Sequence, residues 1–377
     1  MKYYIIAGEA SGDLHASNLV AEIKKKDKKA EFRGWGGDLM KNQGVELVKH
    51  YRQTAFMGFV EVAVNLRKVL GNITQCKKDI VDYQPDVIIL VDYPGFNLRI
   101  ADFAHEKGFK VFYYISPQVW AWKRRRVRKI KKTVDRMLVI FPFEEEFYKN
   151  YGIDVTYVGN PLLDELAKFG TANRSMFLRR NSLGEKREII GLLPGSRKQE
   201  VKRVLPTMLR VVSHFPNYQF VIGGVSSLGK DFYKRIMGNT DVFLIMDQTY
   251  ELLQNSSAAV VTSGTATLET ALFTVPEVVC YKATGLSYLL AKWMIKVKYI
   301  SLVNLVMDKP VVKELIQGDL TEDNIVKELD LLLHNGKRQR QILEDYDELR
   351  ERLGNAGASE KAAAAIVDDM RNIKPTK

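Results

Sequence analysis

An α/β fold made of two parallel-sheet halves and closed by a helical tail is the architecture this sequence predicts. Three observations carry that reading. Short, wholly apolar runs such as VIILV and VFYYI have the pattern of strands buried on both faces, as parallel sheets require. These runs alternate with amphipathic stretches of helical period, the order expected of βα units. The alternation pauses after Gly159-Asn160-Pro161 and through a polar segment from Lys168 to Glu188, and then begins again.

In the first half the expected strands are Tyr3–Ala7, Phe32–Trp35, Asp86–Val91, Val111–Ile115, Arg136–Phe141 and Thr156–Val158, with helical patterns over Val60–Tyr83 and Phe96–Lys107. In the second half they are Ile189–Leu193, Gln219–Ile222, Val242–Ile245, Ala258–Thr262 and Val278–Tyr281, with helices between. From Thr321 onward the chain reads as helices only, the last two broken at Gly354 and Gly357. A boundary is expected within 160–185. The division is 1–165 as one Rossmann-like domain, 166–345 as a second, and 346–377 as helices that pack back on the first or exchange between subunits. The length of 377 residues suits two or three domains at about 150 residues each. Ligands of such folds sit beyond the carboxyl ends of strands, in the cleft between halves, so the informative residues should follow strands.

Composition narrows the chemistry. Hydrophobic residues make up 46%, enough for packed cores and unlike a disordered chain. The formal net charge of +12 points to phosphate in some form, whether nucleic acid, nucleotide or anionic lipid. The two cysteines, Cys76 and Cys280, have no metal or redox spacing, which fits a reducing compartment. The opening MKYYIIAGEASGD is interrupted too early for a signal peptide, and no window approaches the ~18 uncharged apolar residues of a membrane span. A cytoplasmic protein able to touch a membrane is expected.

Five loops follow strands and carry the candidate chemistry. GEASGDLH (Gly8–His15) has glycines for a tight turn, and Ser11 or Asp13 can cap the next helix. Its glycine spacing is not that of a dinucleotide fingerprint, and Glu9 and Asp13 would repel a pyrophosphate, so it suits sugar hydroxyls or serves only as a capped turn. In VDYPGFN (Val91–Asn97), Asp92 at a strand end is a general-base candidate, or else an Asx turn before Pro94. SPQVWAW (Ser116–Trp122) puts Trp120 and Trp122 on one side of an extended segment, suited to a sugar or acyl surface or to a core. Eight of the ten residues from Lys123 to Lys132 are then basic, without the interleaved aromatics of a single-strand platform. LLPGSRKQE (Leu192–Glu200) turns from strand to helix, so that Gly195 and Ser196 offer N–H groups to an anion and Arg197 adds a phosphate fork; the Walker ending is missing. VVTSGTATLE (Val260–Glu269) repeats the device at Ser263, Gly264 and Thr265. Glu269 follows one helical turn later, where it could accept both hydroxyls of a ribose or be an ordinary packed residue.

Together the motifs GEASGD, AFMGFVEV (Ala55–Val62), PDVIILVDYPGFN, SPQVWAW with Arg126 downstream, LPGSR, SGTATLE and YISLVNLVMDKPVVKELIQ (Tyr299–Gln317) resemble the lipid-A-disaccharide synthase family. They run in one order over essentially the whole chain. The resemblance implies a GT-B fold, in which two Rossmann-like domains face a central cleft. It also implies inverting transfer from UDP-2,3-diacylglucosamine to 2,3-diacylglucosamine 1-phosphate, giving a β-1,6-linked disaccharide 1-phosphate and UDP. No metal and no cofactor are implied. Asp92 matches the family's base. Gly195, Ser196, Arg197, Ser263, Gly264, Thr265, Ala266 and Glu269 match the donor side, with Asn304, Glu314 and Gln317 as a second donor block. Glu9, Ser11, Asp13, Met57, Glu61, Asn97, Ser116, Gln118, Trp120, Trp122 and Arg126 match the acceptor side. Three positions depart from the usual pattern: Gly95 stands at a common Asp, Asn160 at a common His and Val303 at a common Pro.

The diacylated substrates and the basic surplus imply a peripheral place on the cytoplasmic face of the inner membrane; a homodimer is left open. Two alternatives compete with this reading. A nucleic-acid-binding protein has the charge in its favour but no recognisable module, and the strand-end loops are rich in acids and glycine. A UDP-sugar 2-epimerase shares the two-domain architecture but needs no lipid pocket, whereas MGFVEVAVNLRKVL, apolar with a basic end, favours lipid.

Overall fold

The structure is a computed structural model that describes residues 1–53, 66–117, 125–283 and 298–372. The strands are β1 (Lys2–Ala7), β2 (Glu31–Gly36), β3 (Glu46–His50), β4 (Val87–Val91), β5 (Lys110–Tyr114), β6 (Arg136–Val139) and β7 (Val155–Tyr157), then β8 (Glu188–Leu193), β9 (Tyr218–Gly224), β10 (Phe243–Met246), β11 (Ser256–Thr262), β12 (Glu277–Tyr281) and β13 (Lys313–Ile316). Helices α1 (Ala10–Lys26), α2 (Asp38–Asn42), α3 (Leu66–Tyr83), α4 (Pro94–Glu106), α5 (Arg125–Thr133), α6 (Phe143–Lys149) and α7 (Pro161–Lys168) lie among the first seven strands. Helices α8 (Arg174–Arg180), α9 (Lys198–Arg210), α10 (Lys230–Met237), α11 (Thr249–Gln254), α12 (Thr265–Leu272), α13 (Leu302–Met307), α14 (Glu322–His334), α15 (Gly336–Leu353) and α16 (Ala358–Asn372) follow.

The chain divides into two compact units, one of residues 1–168 with 353–377, the other of residues 169–352. The first holds a seven-stranded parallel sheet in the order β3-β2-β1-β4-β5-β6-β7. Alternate side chains of β1 show why its sequence is apolar throughout. Tyr3, Ile5 and Ala7 join the core on one face and Tyr4 and Ile6 the core on the other. The first of these cores includes Leu19, Val20 and Ile23 of α1 and Ala362, Ala363, Ile366 and Val367 of α16. Helix α16 packs along α1 in this unit. Its first turn is anchored by Asp164, whose carboxylate accepts from the N–H groups of Gly357 (2.5 Å), Ala358 (3.1 Å) and Ser359 (2.9 Å). Farther along, the Arg136 guanidinium donates to both carboxylate oxygens of Asp369 at 2.6 Å.

The second unit holds a six-stranded parallel sheet in the order β10-β9-β8-β11-β12-β13. Ile189, Leu193, Val221, Ile245, Ala259 and Val261 of its strands share a core with Phe177, Leu178, Leu252 and Leu253 of the helices.

Two strands lie outside the sequence expectation, β3 and β13. Both are sheet edges, and their residues are largely half-exposed or exposed. ELVKH and KELI therefore lack the wholly apolar run that marks an interior strand. Residues 60–65 of the expected helix Val60–Tyr83 lie outside the described residues, and the remainder is α3. Asn160, standing where histidine is common, is buried, and its side-chain oxygen accepts from Leu162 N at 3.0 Å, a cap on the first turn of α7.

Candidate active site

In the first sheet the strand order reverses between β1 and β4, the position beyond whose carboxyl ends open α/β sheets bind ligands. Ala7 and Val91 end these two strands and pair with each other, so the Gly8–Asp13 segment and the Asp92 loop emerge side by side. Gly8 is glycine for a steric reason. A β-carbon there would stand 2.3 Å from the Tyr93 ring. Burial, and after it the Glu9 carboxylate, push the Tyr93 phenol up, so Glu9 and Tyr93 face the same locality.

Asp92 and Tyr93 both have left-handed backbones, with φ of 45° and 47°. For residues with a β-carbon this costs roughly 1–2 kcal/mol each and persists only where neighbours impose it. Here they do. Asp92 N donates to Tyr114 O (3.1 Å), and the Asp92 carbonyl accepts from the Tyr113 hydroxyl (2.5 Å) and from Asn97 Nδ2 (2.8 Å). Asn97 is fully buried, with Nδ2 also within reach of Val91 O (3.2 Å) and Ile6 O (3.5 Å). Its amide nitrogen is spent on the loop's main chain, although the family pattern places it on the acceptor side.

The remaining first-unit residues divide. Ser11 is exposed on the first turn of α1. Neither Ser11 nor Asp13 caps α1, contrary to expectation: the N-cap is Glu9, which makes no side-chain cap. Asp13 is buried and caps α2 instead, accepting from the N–H groups of Gly37 (2.7 Å), Leu39 (3.1 Å) and Met40 (3.2 Å). Ser116 is buried with its hydroxyl 2.7 Å from the Tyr148 hydroxyl. Arg126 is partly buried on the first turn of α5; burial lowers its pKa, the Tyr113 hydroxyl opposes that, and the Arg99 charge adds to it. Arg126 therefore lies near Tyr113, which also feels the Asp92 charge, and Arg99 lies near Arg126. Met57, Glu61, Gln118, Trp120 and Trp122 lie outside the described residues.

The second sheet repeats the arrangement. Its order reverses between β8 and β11, and Leu193 pairs with Val261 near their carboxyl ends. The loops of Gly195–Arg197 and Ser263–Gly264 leave that edge together and lead into the N-termini of α9 and α12. Gly195 has φ of +100°, and a β-carbon there would stand 2.9 Å from Glu200 Oε2. Ser196, Arg197, Gly264 and Thr265 are exposed, Ala266 partly so. Arg197 pairs with Glu200 at 3.1 Å, and Glu200, Arg197 and Arg203 all bear on the Tyr281 hydroxyl at the end of β12. Neither Arg203 nor Tyr281 stood out in the sequence, since a helix arginine and a strand-end tyrosine have no spacing of their own. Glu269 is partly buried beside Tyr250, whose hydroxyl donates to it at 3.4 Å; burial raises its carboxyl pKa and that hydrogen bond opposes the rise.

Asn304 and Glu314 form a support behind this edge. Asn304 is buried and donates from Nδ2 to Val312 O and to Glu314 Oε1, each at 2.9 Å, while its Oδ1 accepts from Val312 N at 2.9 Å. Glu314 also accepts from the N–H groups of Ile300 (3.0 Å) and Ser301 (2.9 Å), and Ile300 O accepts from the Ser263 hydroxyl at 2.8 Å. This chain of bonds ties the 300–304 segment to the start of α12. Gln317, left-handed at φ 54°, follows β13 directly.

Comparison with known proteins places this arrangement. A profile of the family described as lipid-A-disaccharide synthetase matches residues 3–367. The lipid-A-disaccharide synthase of Syntrophus aciditrophicus is 44% identical over 366 residues, covering 95% of each chain. Among solved structures, the UDP-GlcNAc 2-epimerase of Neisseria meningitidis bound to UDP-GlcNAc superposes with a TM-score of 0.71 at 13% identity, covering 98% of this chain and 100% of that one. The glycotransferase of kitacinnamycin superposes with a TM-score of 0.66 at 14% identity, covering 98% and 99%. These two structures share the fold, the paired Rossmann-like sheets of GT-B glycosyltransferases and epimerases.

Proposed function

The chain belongs to the lipid-A-disaccharide synthetase family, and we propose that it moves the diacylglucosaminyl group of UDP-2,3-diacylglucosamine onto the 6-hydroxyl of 2,3-diacylglucosamine 1-phosphate. One observation carries the assignment of roles. At the reversal point of each sheet the two loops that emerge together are the motif loops, with a carboxylate at one and two helix N-termini with an arginine at the other.

In this reading Asp92 takes the proton of the acceptor hydroxyl as its oxygen attacks the anomeric carbon. The bond from that carbon to the diphosphate breaks with inversion, and UDP leaves. The N-termini of α9 and α12, each worth roughly +0.5 charge, together with Arg197, meet the charge that develops on the diphosphate. Glu269 holds the ribose, and the Asn304–Glu314 network keeps the start of α12 in place. Glu9 and Ser11 bind acceptor hydroxyls, Arg126 meets the acceptor phosphate, and the loops of Met57, Glu61, Gln118, Trp120 and Trp122 complete the acceptor side. Asp13, Asn97 and Ser116 support the acceptor loops from within.

Among the described residues no helix is long and apolar enough to cross a membrane. The diacylated substrates and the formal charge of +12 support a peripheral place on the cytoplasmic face of the inner membrane. The test is incubation with donor and acceptor lipids followed by mass spectrometry. The disaccharide 1-phosphate and one UDP per disaccharide are expected. Failure to form it, or epimerisation of UDP-N-acetylglucosamine supplied alone, overturns the reading.

A further inference from the structure

We propose that Tyr113 is a positioning residue for the transfer, acting through the main-chain carbonyl of Asp92, with Asn97 as its partner in that task. The inference rests on the reading of Asp92 as the base and adds what makes that base usable.

Asp92 stands on the first of two consecutive left-handed residues. Pro94 follows Tyr93 and disfavours the ordinary helical conformation there, so the chain turns sharply off β4 and enters α4 at once. Asp92 N still bonds to Tyr114 O of the neighbouring strand, but the Asp92 carbonyl lies beyond the β4–β5 ladder. The carbonyl that would be left bare is that of Asp92, and it carries two hydrogen bonds, 2.5 Å from the Tyr113 hydroxyl and 2.8 Å from Asn97 Nδ2. Both lone-pair directions of that oxygen are thereby used.

The two donors come from different elements. Tyr113 is the penultimate residue of β5, paired in register with Leu90 of β4, and its side chain spans the carboxyl end of the neighbouring strand. Asn97 lies in the first turn of α4. Both side chains are fully buried, so neither can be a surface contact for substrate. Fixing the carbonyl fixes the peptide plane after Asp92, and with Asp92 N held by Tyr114 O it fixes the direction of the Cα–Cβ bond. A carboxylate that must meet one hydroxyl hydrogen at bonding distance depends on that direction. The phenyl ring of Tyr113 belongs to the core; the hydroxyl alone does this work.

The substitution that separates the two is Tyr113→Phe, which keeps the ring and removes the donor. With both lipid substrates, kcat is expected to fall at least tenfold, while KM for each and the dissociation constant for UDP stay within twofold. Asn97→Ala is expected to give the same split with a smaller loss of kcat, and it serves should Tyr113→Phe prove unfolded by circular dichroism. A kcat loss under tenfold in a folded Tyr113→Phe overturns the inference. So does a loss accompanied by equal changes in KM and UDP affinity, which marks a general structural defect. Asp92→Asn is measured alongside. If it retains normal turnover, the reading of the base has failed; if it loses turnover while Tyr113→Phe does not, only the positioning inference has failed.

Discussion

A general base contributes about 10²–10⁴ to a rate when it is held against the proton it removes. Asp92→Asn is therefore expected to lower turnover by roughly that factor while leaving UDP affinity within twofold by calorimetry. Near-normal turnover would remove Asp92 from its role. Arg197 answers for the donor in the same way. Its charge-assisted bonds are worth about 1.5–3 kcal/mol, so Arg197→Gln should raise the UDP dissociation constant by roughly ten- to a hundredfold. A change under threefold would leave the diphosphate to the helix ends alone. Asp92 was legible as a candidate because it directly follows an apolar strand, and Arg197 because it closes a glycine turn that leads from a strand into a helix N-terminus. Asn97 and Asn304 entered only as matches to the family pattern, Asp13 also as a cap for α1, and their main-chain partners were not legible. An amide or a carboxylate can serve main-chain groups as readily as a ligand, and only the fold shows that all three face inward, onto the Asp92 loop, the 300–312 segment and the start of α2.

At the scale of elements, interior strands announce themselves by burial on both faces; of the half-solvated edge strands, VTY of β7 and FLIM of β10 carry no charge and were still read, whereas the charges of ELVKH in β3 and KELI in β13 hid them. Helix termini were the least legible. The first loop reads as a cap for α1, yet Asp13 reaches across to α2, a pairing that no local spacing contains. The basic run after the tryptophan loop is also resolved by its helix. Val127 and Ile130 of α5 are buried, Lys129 pairs with Asp102, and Lys131 donates to Tyr151 O at 3.2 Å, so part of the run is spent inside the unit. Asp164 gives this scale its test. Its carboxylate accepts from three N–H groups at the start of α16. Asp164→Ala should cost about 1–3 kcal/mol of stability by denaturant titration, and hydrogen exchange should show the loss first in α16 and in the face of α1 it covers. Uniform loss of protection across both units would argue against a local anchor.

At the scale of the whole molecule two groups set opposite pH limits on stability. His15 is half-buried, with Nδ1 buried and unpartnered among the described residues, and desolvation pushes its pKa down to about 4, against the pull of Glu165 and Asp164. A folded-state value below the unfolded one means that the native state holds a neutral ring. Its contribution is complete above the unfolded value and is lost as pH falls from about 6.5 toward 4. Glu277 on β12 works in the other direction. Both carboxylate oxygens are buried without partners, and burial raises the pKa well above its ordinary value. The native state therefore favours the protonated acid, and stability is lost as pH rises above about 4.5 toward the folded value. Unfolding midpoints across this range should pass through a maximum and fall on both sides. Glu277→Gln, which keeps the shape and cannot ionise, should raise the midpoint at about pH 8 and leave the acid side unchanged. His15→Gln should make the fall between about pH 6.5 and 4 shallower, leave the loss from Asp164 and other carboxylates at lower pH, and leave the alkaline side unchanged. The two groups lie in different units, His15 on α1 and Glu277 on β12, so the effects of the two substitutions should add. An alkaline limb that survives Glu277→Gln would show that another group loses its proton on unfolding, and that the carboxyl on β12 is ionised within the fold.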